Sequence, residues 1–315
     1  MPQPIGLTNT LTRRVEDLLT VEPGVVRMYA CGPTVYQYAH IGNLRTYVNE
    51  DFVRRALEAA GYEVRHVMNI TDVGHLQHDD VEAGEDKMSL SAQREQKDPW
   101  QIARFYEDAF LADTDALNIE RPTIVPRATE HVEEMIEFIK VLEQKGFTYD
   151  VDGNVYFEVD KFPSYGELAR FDPRNEADEV ARVEADPRKR NPRDFVLWFS
   201  QSKFPNQIMR WESPWGTGFP GWHIECSAMG TQYLGDRIDV HAGGIDHIPV
   251  HHTNEVAQSD SRFGHQWVRY WLHCGWLLVD DGKMAKSEGN FLRLATLEEN
   301  GFDPLHYRYF CAQAH

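Results

Sequence analysis

The chain has 315 residues and a formal net charge of −18, with 42% hydrophobic, 12% aromatic and 26% charged residues. These proportions exclude a fibrous repeat and wholesale disorder, and the length predicts two or three lobes or one large domain with insertions. The acidic excess repels polyanions over most of the surface and confines any nucleic-acid contact to a local basic groove. No stretch approaches eighteen consecutive apolar residues, and Met1 to Thr10 lack the basic start and apolar run of a signal peptide, so no membrane role and a cytoplasmic setting are expected. Cys31, Cys226, Cys274 and Cys311 are too few and too scattered for a disulfide framework, which points to metal ligation or plain burial.

Val25 to Cys31 reads VVRMYAC, a β-rich run stopped by Gly32-Pro33. A helical pattern follows from about Ile41 to Ala60 and closes at Gly61, and Val64 to Ile70 predicts a second strand. Strand, turn, helix and strand form a βαβ unit, which implies a parallel sheet with its crevice at the carboxyl ends, where Cys31 and Thr71 fall. The acidic stretch from Gln77 to Asp98 is expected as a solvated loop, including Lys87-Met-Ser-Leu-Ser91, and Trp100 to Leu117 as a helix. Val132, Met135, Ile136, Ile139 and Leu142 recur at helical spacing until Gly146, and this stripe is expected in the core.

Tyr149 to Lys203 changes texture, with short strand-like pieces, prolines and a basic run from Arg188 to Arg193 that reads as solvated loop or as an acceptor-stem contact. The earlier rhythm then resumes: a helix near Ile224 to Leu234, a strand Arg237 to His241, a turn Ala242-Gly-Gly-Ile-Asp246, a helix from about Val250 and a strand Gly275 to Val279. The expected divisions are 1–122 and 206–274 as halves of a nucleotide-binding fold, 123–205 as an insertion and 275–315 as a loop and helical region.

Several of these segments carry chemistry. His40-Ile-Gly-Asn43 sits at a predicted helix start, where backbone N–H groups and the helix dipole favour an anion. His40 and Asn43 can donate to phosphate oxygens, and Gly42 permits close approach. Lys283-Met-Ala-Lys286-Ser287 sets two lysines three apart in a glycine-flanked loop able to bring positive charge onto a triphosphate. Gly243 and Gly244 follow a strand and would admit an adenosine, with Asp246 meeting its ribose or a substrate ammonium. His251 and Glu255, four apart, share a helix face and form half of a zinc site. Cys31 and Cys226 would complete it, or are buried bystanders.

His40-Ile-Gly-Asn43 and Lys283-Met-Ala-Lys286-Ser287 resemble the His-Ile-Gly-His and Lys-Met-Ser-Lys-Ser signatures of class I aminoacyl-tRNA synthetases, with Asn43 and Ala285 as departures. GPTVY after Cys31, GWHIECSAM around Cys226 and HHTNE at 251–255 narrow the resemblance to the cysteinyl-tRNA synthetase family, essentially over the whole chain. The resemblance implies an α/β fold, a Rossmann-like parallel sheet split by a connective-peptide insertion. It also implies a Zn²⁺ held by Cys31, Cys226, His251 and Glu255; His252, His247 and His223 are the competing ligands, His247 foremost. Trp222 and Thr71 fall where it implies amino-acid contacts, and His40, Asn43, Lys283 and Lys286 where it implies phosphate stabilisation.

The implied activity is an ATP-dependent ligation: L-cysteine is activated to its adenylate, with Mg²⁺ accompanying ATP, and passed to the acceptor end of tRNA(Cys). The chain stops twenty-eight residues past Ser287, so an anticodon-binding region is expected to be missing. Two alternatives are a short ligase that gives activated cysteine to a small-molecule amine and a noncatalytic regulator that binds cysteine or ATP.

Overall fold

The computed structural model describes residues 2–73, 76–78, 83–95, 97–171, 187–201, 208–279, 282–283 and 292–313. An N-terminal hairpin of β1 (Gly6–Asn9) and β2 (Arg14–Asp17) leads into β3 (Val25–Ala30), of whose six residues only Arg27 is not buried. Such a near-continuous apolar strand suits the centre of a parallel sheet covered on both faces. Helix α1 (Ile41–Ala59) follows, stops before Gly61 at φ +93°, and delivers the chain to β4 (Glu63–Met68), which pairs parallel with β3.

The segment after β4 forms a hairpin of β5 (Leu76–His78) and β6 (Ala83–Asp86), then α2 (Lys87–Glu95) and α3 (Pro99–Ala116). The expected solvated loop is therefore corrected. Met88 is 1% exposed, Ala92 is buried, and the Ser91 hydroxyl donates to the Tyr36 carbonyl at 2.8 Å, so this acidic stretch closes over part of the core. Asp98 caps α3 and Pro99 occupies its first position, the usual start signals.

Helix α4 (Val132–Gln144) buries Val132, Met135, Phe138, Ile139 and Leu142, each contributing about 1.5–3 kcal/mol of apolar burial. Phe138 takes a core place that the expected stripe gave to Ile136, which is only partly buried. Next come β7 (Thr148–Val151), β8 (Asn154–Phe157), β9 (Phe195–Phe199) and β10 (Phe219–Pro220), an antiparallel sheet in the order β10-β9-β8-β7. Within the basic run, the Arg190 guanidinium lies 4.1 Å over the Tyr149 ring and Arg193 lies 4.2 Å over Phe171. Those two cations are held on the insertion's own aromatic rings.

Helix α5 (Trp222–Leu234) returns to the parallel sheet and is followed by β11 (Ile238–Gly244), a π-helical turn (Ile248–His252), α6 (Thr253–Phe263) and β12 (Val268–Cys274). The parallel sheet runs β12-β11-β3-β4. Two expectations change here. Ala242 to Gly244 continue the strand rather than turning, and the fourth strand is Val268–Cys274, with Leu278 in a separate short hairpin of β13 (Leu278–Val279) and β14 (Gly282–Lys283). Helices α7 (Leu294–Glu299) and α8 (Pro304–Gln313) end the described chain. The architecture is α/β, a parallel sheet interrupted by an antiparallel insertion, and no helix among the described residues is long and apolar enough to cross a membrane.

Candidate active site and metal centre

The carboxyl ends of β3, β4 and β11 open into a cleft of about 320 Å³. Cys31 leaves β3 directly at its floor, and Gly32 follows because β4's continuation crowds it: a Cβ there would lie 1.6 Å from the Asn69 carbonyl oxygen. Thr71, 1% exposed, sits on the adjacent rim. Its hydroxyl donates to Glu225 Oε2 at 2.9 Å and accepts from Asn69 Nδ2 at 3.0 Å, while Asn69 Oδ1 accepts from the Gly32 amide at 3.0 Å. This chain of bonds ties both strand ends to α5. Glu225, itself 0% exposed, is a member that sequence reasoning missed; its signal was the acidic residue beside Cys226 in an otherwise apolar helix start.

Trp222, at the first position of α5, stands over the floor with its ring centroid 4.4 Å from that of His251. Across the cleft, His40 is the N-cap of α1. Its Nδ1 accepts from the Asn43 amide at 3.1 Å, and Asn43 Oδ1 accepts from the His40 amide at 3.3 Å, a reciprocal capping box. Since Nδ1 is an acceptor, the neutral ring carries its proton on Nε2, and the Asn43 NH₂ group keeps its donors. Gly42 lines an adjoining recess with His40, Asn43, Asp246 and Trp276. Gly244 and Asp246 line the main cleft, and Asp246 Oδ1 accepts from Trp276 Nε1 at 3.3 Å.

Gly243 faces elsewhere. A Cβ there would lie 2.7 Å from His247 Nδ1 and 2.8 Å from His252 Cε1, so its missing side chain makes room for histidine rings. Lys283 is described only in its backbone, within the hairpin, and Lys286 lies outside the described residues. The chain is next described at Leu292, whose carbonyl accepts from the Ile41 amide at 2.8 Å, at the helix start that bears His40.

At the floor, four donor atoms from Cys31, Cys226, His251 and Glu255 lie within 4.8 Å of one another, all buried. The sulfurs are 3.9 Å apart, Cys226 Sγ is 3.5 Å from His251 Nε2, His251 Nε2 is 3.1 Å from Glu255 Oε1, and Cys31 Sγ is 4.0 Å from Glu255 Oε1. For a tetrahedral ion with bonds of about 2.0–2.3 Å, the edges of such a donor set span roughly 3.3–3.8 Å. The arrangement is compatible with a metal site. Burial pushes both thiols up, Cys31 well above its ordinary value. Only a cation supplied to this pocket would make thiolates of them.

A second set, Cys31, His241, His252 and Glu255, overlaps the first. His252 Nε2 is 3.2 Å from Cys31 Sγ, and His241 Nε2 contacts the other Glu255 oxygen at 2.9 Å. Among the described residues this second set brings His252 and His241 to the shared Cys31 and Glu255, while His247 lines the cleft outside both sets. His241 was legible only as part of a glycine turn, because its partner lies fourteen residues on. The two sets differ in access: Cys31, Cys226 and His251 line the cleft, whereas His241 and His252 lie behind it. Burial holds His252 well below its ordinary value, and His273, 2.7 Å from His252 Nδ1, is pushed down to about 2. His223 stands behind the first set, its Nδ1 2.9 Å from His251 Nδ1.

Comparison with known proteins bears on this constellation. A family model for tRNA synthetases class I (C) catalytic domain matches residues 18–315. A cysteine–tRNA ligase of Treponema denticola is 54% identical over 99% of this chain and 63% of its own, and cysteine–tRNA ligase 1 of Burkholderia lata is 50% identical over 99% and 66%. The chain therefore spans about two thirds or less of these relatives' length. Among solved structures, Mycobacterium tuberculosis methionyl-tRNA synthetase in complex with methionyl-adenylate superposes with a TM-score of 0.66 at 19% identity, covering 91% of this chain and 64% of that one, a likeness of fold.

Proposed function

Since the chain belongs to the family of class I (C) tRNA synthetase catalytic domains, we propose that it activates L-cysteine with ATP and passes the cysteinyl group to the acceptor end of tRNA(Cys) in the cytoplasm. The observation that carries this reading is the convergence of two thiols, an imidazole and a carboxylate on the floor of a cleft whose other wall is a helix N-terminus bearing His40 and Asn43.

In this reading a carboxylate oxygen of cysteine attacks the α-phosphorus of ATP, the bond to the bridging oxygen breaks, and pyrophosphate leaves. The positive end of the α1 dipole, the His40 Nε2–H and the Asn43 side-chain NH₂ receive the phosphate charge, with Lys283 and Lys286 joining from the signature segment and Mg²⁺ accompanying ATP. Gly42 lets the phosphates approach the helix start, Gly244 and Asp246 receive the adenosine, and Gly243 acts one step back by seating His247 and His252. Thr71, oriented by Asn69 and Glu225, meets the ammonium group, and Trp222 walls off the side-chain pocket and excludes water.

Cys31, Cys226, His251 and Glu255 would hold Zn²⁺ there: two soft thiolates with one imidazole and one carboxylate suit that ion and leave room for a further ligand from the cleft. Bound zinc supplies selectivity, because it takes a substrate thiolate far more strongly than a serine hydroxyl.

The test is cysteine-dependent exchange of pyrophosphate into ATP, with serine as the control and a Cys226→Ser, His251→Ala variant alongside. Exchange with cysteine alone, abolished in the variant, is the expected result. Absence of exchange from folded, zinc-loaded protein overturns the reading.

A further inference from the structure

Tyr29 lies behind the metal-ligand set, outside the cleft lining, and is 0% exposed. It stands two residues before Cys31 at the end of β3, so the two side chains leave the same face of the sheet. That face packs on α5 and α6: Tyr29, Cys31 and Cys226 belong to one buried cluster, whereas the alternate residues Met28 and Ala30 pack elsewhere. In register on β11, His241 pairs with Tyr29, their ring centroids 5.0 Å apart, and His241 Nε2 contacts Glu255 Oε2 at 2.9 Å. On α5, Gly230 falls one turn after Cys226, and a Cβ there would lie 3.3 Å from Tyr29 Cδ2. The phenol ring therefore passes under the helix turn that carries Cys226.

A phenol at this depth needs a partner for its O–H, yet the hydroxyl makes no hydrogen bond of good geometry among the described residues. The groups it faces are those of the ligand set. Burial pushes the phenol well above its ordinary value, Cys226, Cys31 and Glu255 add to that push, and Cys226 also bears on it as a hydrogen-bond acceptor. A neutral thiol accepts weakly, whereas a thiolate takes an O–H strongly. The partner that suits this hydroxyl is thus a Cys226 sulfur that ligates a cation.

We propose that Tyr29 is a positioning residue for the metal centre: its hydroxyl donates to Cys226 Sγ from the side away from the cleft, fixing that sulfur as a ligand and leaving the cleft side open to a substrate. The inference rests on the metal reading of Cys31, Cys226, His251 and Glu255, and adds to it a residue that touches no substrate. No proton is transferred; the bond sets where the sulfur's charge points.

Co²⁺ is the probe, because a thiolate bound to it gives a charge-transfer absorption. Tyr29→Phe, which removes the hydroxyl and keeps the ring, is titrated with Co²⁺ against a chelator beside wild type, and both proteins are also melted without metal. Three results are expected together. Co²⁺ affinity falls about 10–100-fold, and the charge-transfer band moves to lower energy because the sulfur loses its hydrogen bond. The metal-free melting temperature stays at or above that of wild type, since a buried unpartnered O–H is gone. An affinity within about twofold of wild type with the band unmoved overturns the proposal. So does weaker binding with the band unmoved in a variant that melts lower, which marks a packing role. Wild type that takes up no Co²⁺ overturns the metal reading itself, and this inference with it.

Discussion

Replacing Thr71 by valine removes a hydroxyl while keeping the side chain's shape, which makes it a direct probe of the bonds that hold the cleft's rim. The hydroxyl donates to Glu225 Oε2 at 2.9 Å and accepts from Asn69 Nδ2 at 3.0 Å, and Glu225 and Asn69 are 0% and 1% exposed. Each then loses a partner where water cannot replace it, a cost of about 1–3 kcal/mol per group. A loss of about 2–6 kcal/mol is therefore expected for Thr71→Val in urea unfolding, with Thr71→Ser recovering most of it. In pyrophosphate exchange the same valine variant is expected to raise the KM for cysteine, and serine to restore it, if the hydroxyl meets the substrate ammonium as proposed. Thr71→Val within about 0.5 kcal/mol of wild type, the scatter of ordinary surface changes, would refute the reasoning.

Two further predictions concern the scaffold. Burial pushes the Asp260 carboxyl up to about 7 while its Oδ1 accepts from the Trp267 amide, so the folded state keeps a proton that the unfolded chain loses near pH 4. Stability from this group is full below pH 4 and declines as pH rises through about 7, by at most about 4 kcal/mol; Asp260→Asn should show a smaller decline than wild type in urea titrations at pH 5 and pH 8, and an equal decline would contradict this. Gly243→Ala forces a methyl to within 2.7 Å of His247 Nδ1 and 2.8 Å of His252 Cε1, so a loss of about 1–3 kcal/mol and weaker metal retention under chelator are expected. An unchanged melting temperature would show that the rings yield freely.

The sequence made β3, α1, β4 and α5 legible because each pairs an unbroken apolar or helical pattern with a clear stop, such as Gly61 after α1. Cys31 and Thr71 stood out because they fall beside such stops, where a parallel sheet opens, whereas Trp222 and Cys226 stood out through the family resemblance of GWHIECSAM; the structure brings all four to the cleft's lining. Other parts were hidden by physics that acts across the chain. In Val268–Cys274 the alternating pattern carries arginine and histidine, and its edge is made secure by the N-terminal hairpin, with Tyr270 donating to the Asp17 carbonyl. The more apolar Trp276 and Leu278 drew the strand expectation instead, yet they are 48% and 58% exposed. The acidic composition of residues 77–98 concealed the buried contacts of Met88 and Ser91. Glu225, His241 and Tyr29 were beyond sequence pattern because their meaning lies in partners, or missing partners, far along the chain.

The claim at the centre of this account is that two cysteine sulfurs and the cleft face of the histidine cluster hold one zinc ion in reach of a substrate thiol. X-ray absorption at the zinc edge of the metal-loaded protein tests it most directly, because the two overlapping ligand sets differ in sulfur count. Two sulfur ligands at about 2.3 Å, rising to three when cysteine is added and staying at two with serine, is the predicted result. One sulfur would contradict it and move the ion to the set containing His241 and His252, and a count of two that cysteine leaves unchanged would contradict the reach to a substrate thiol.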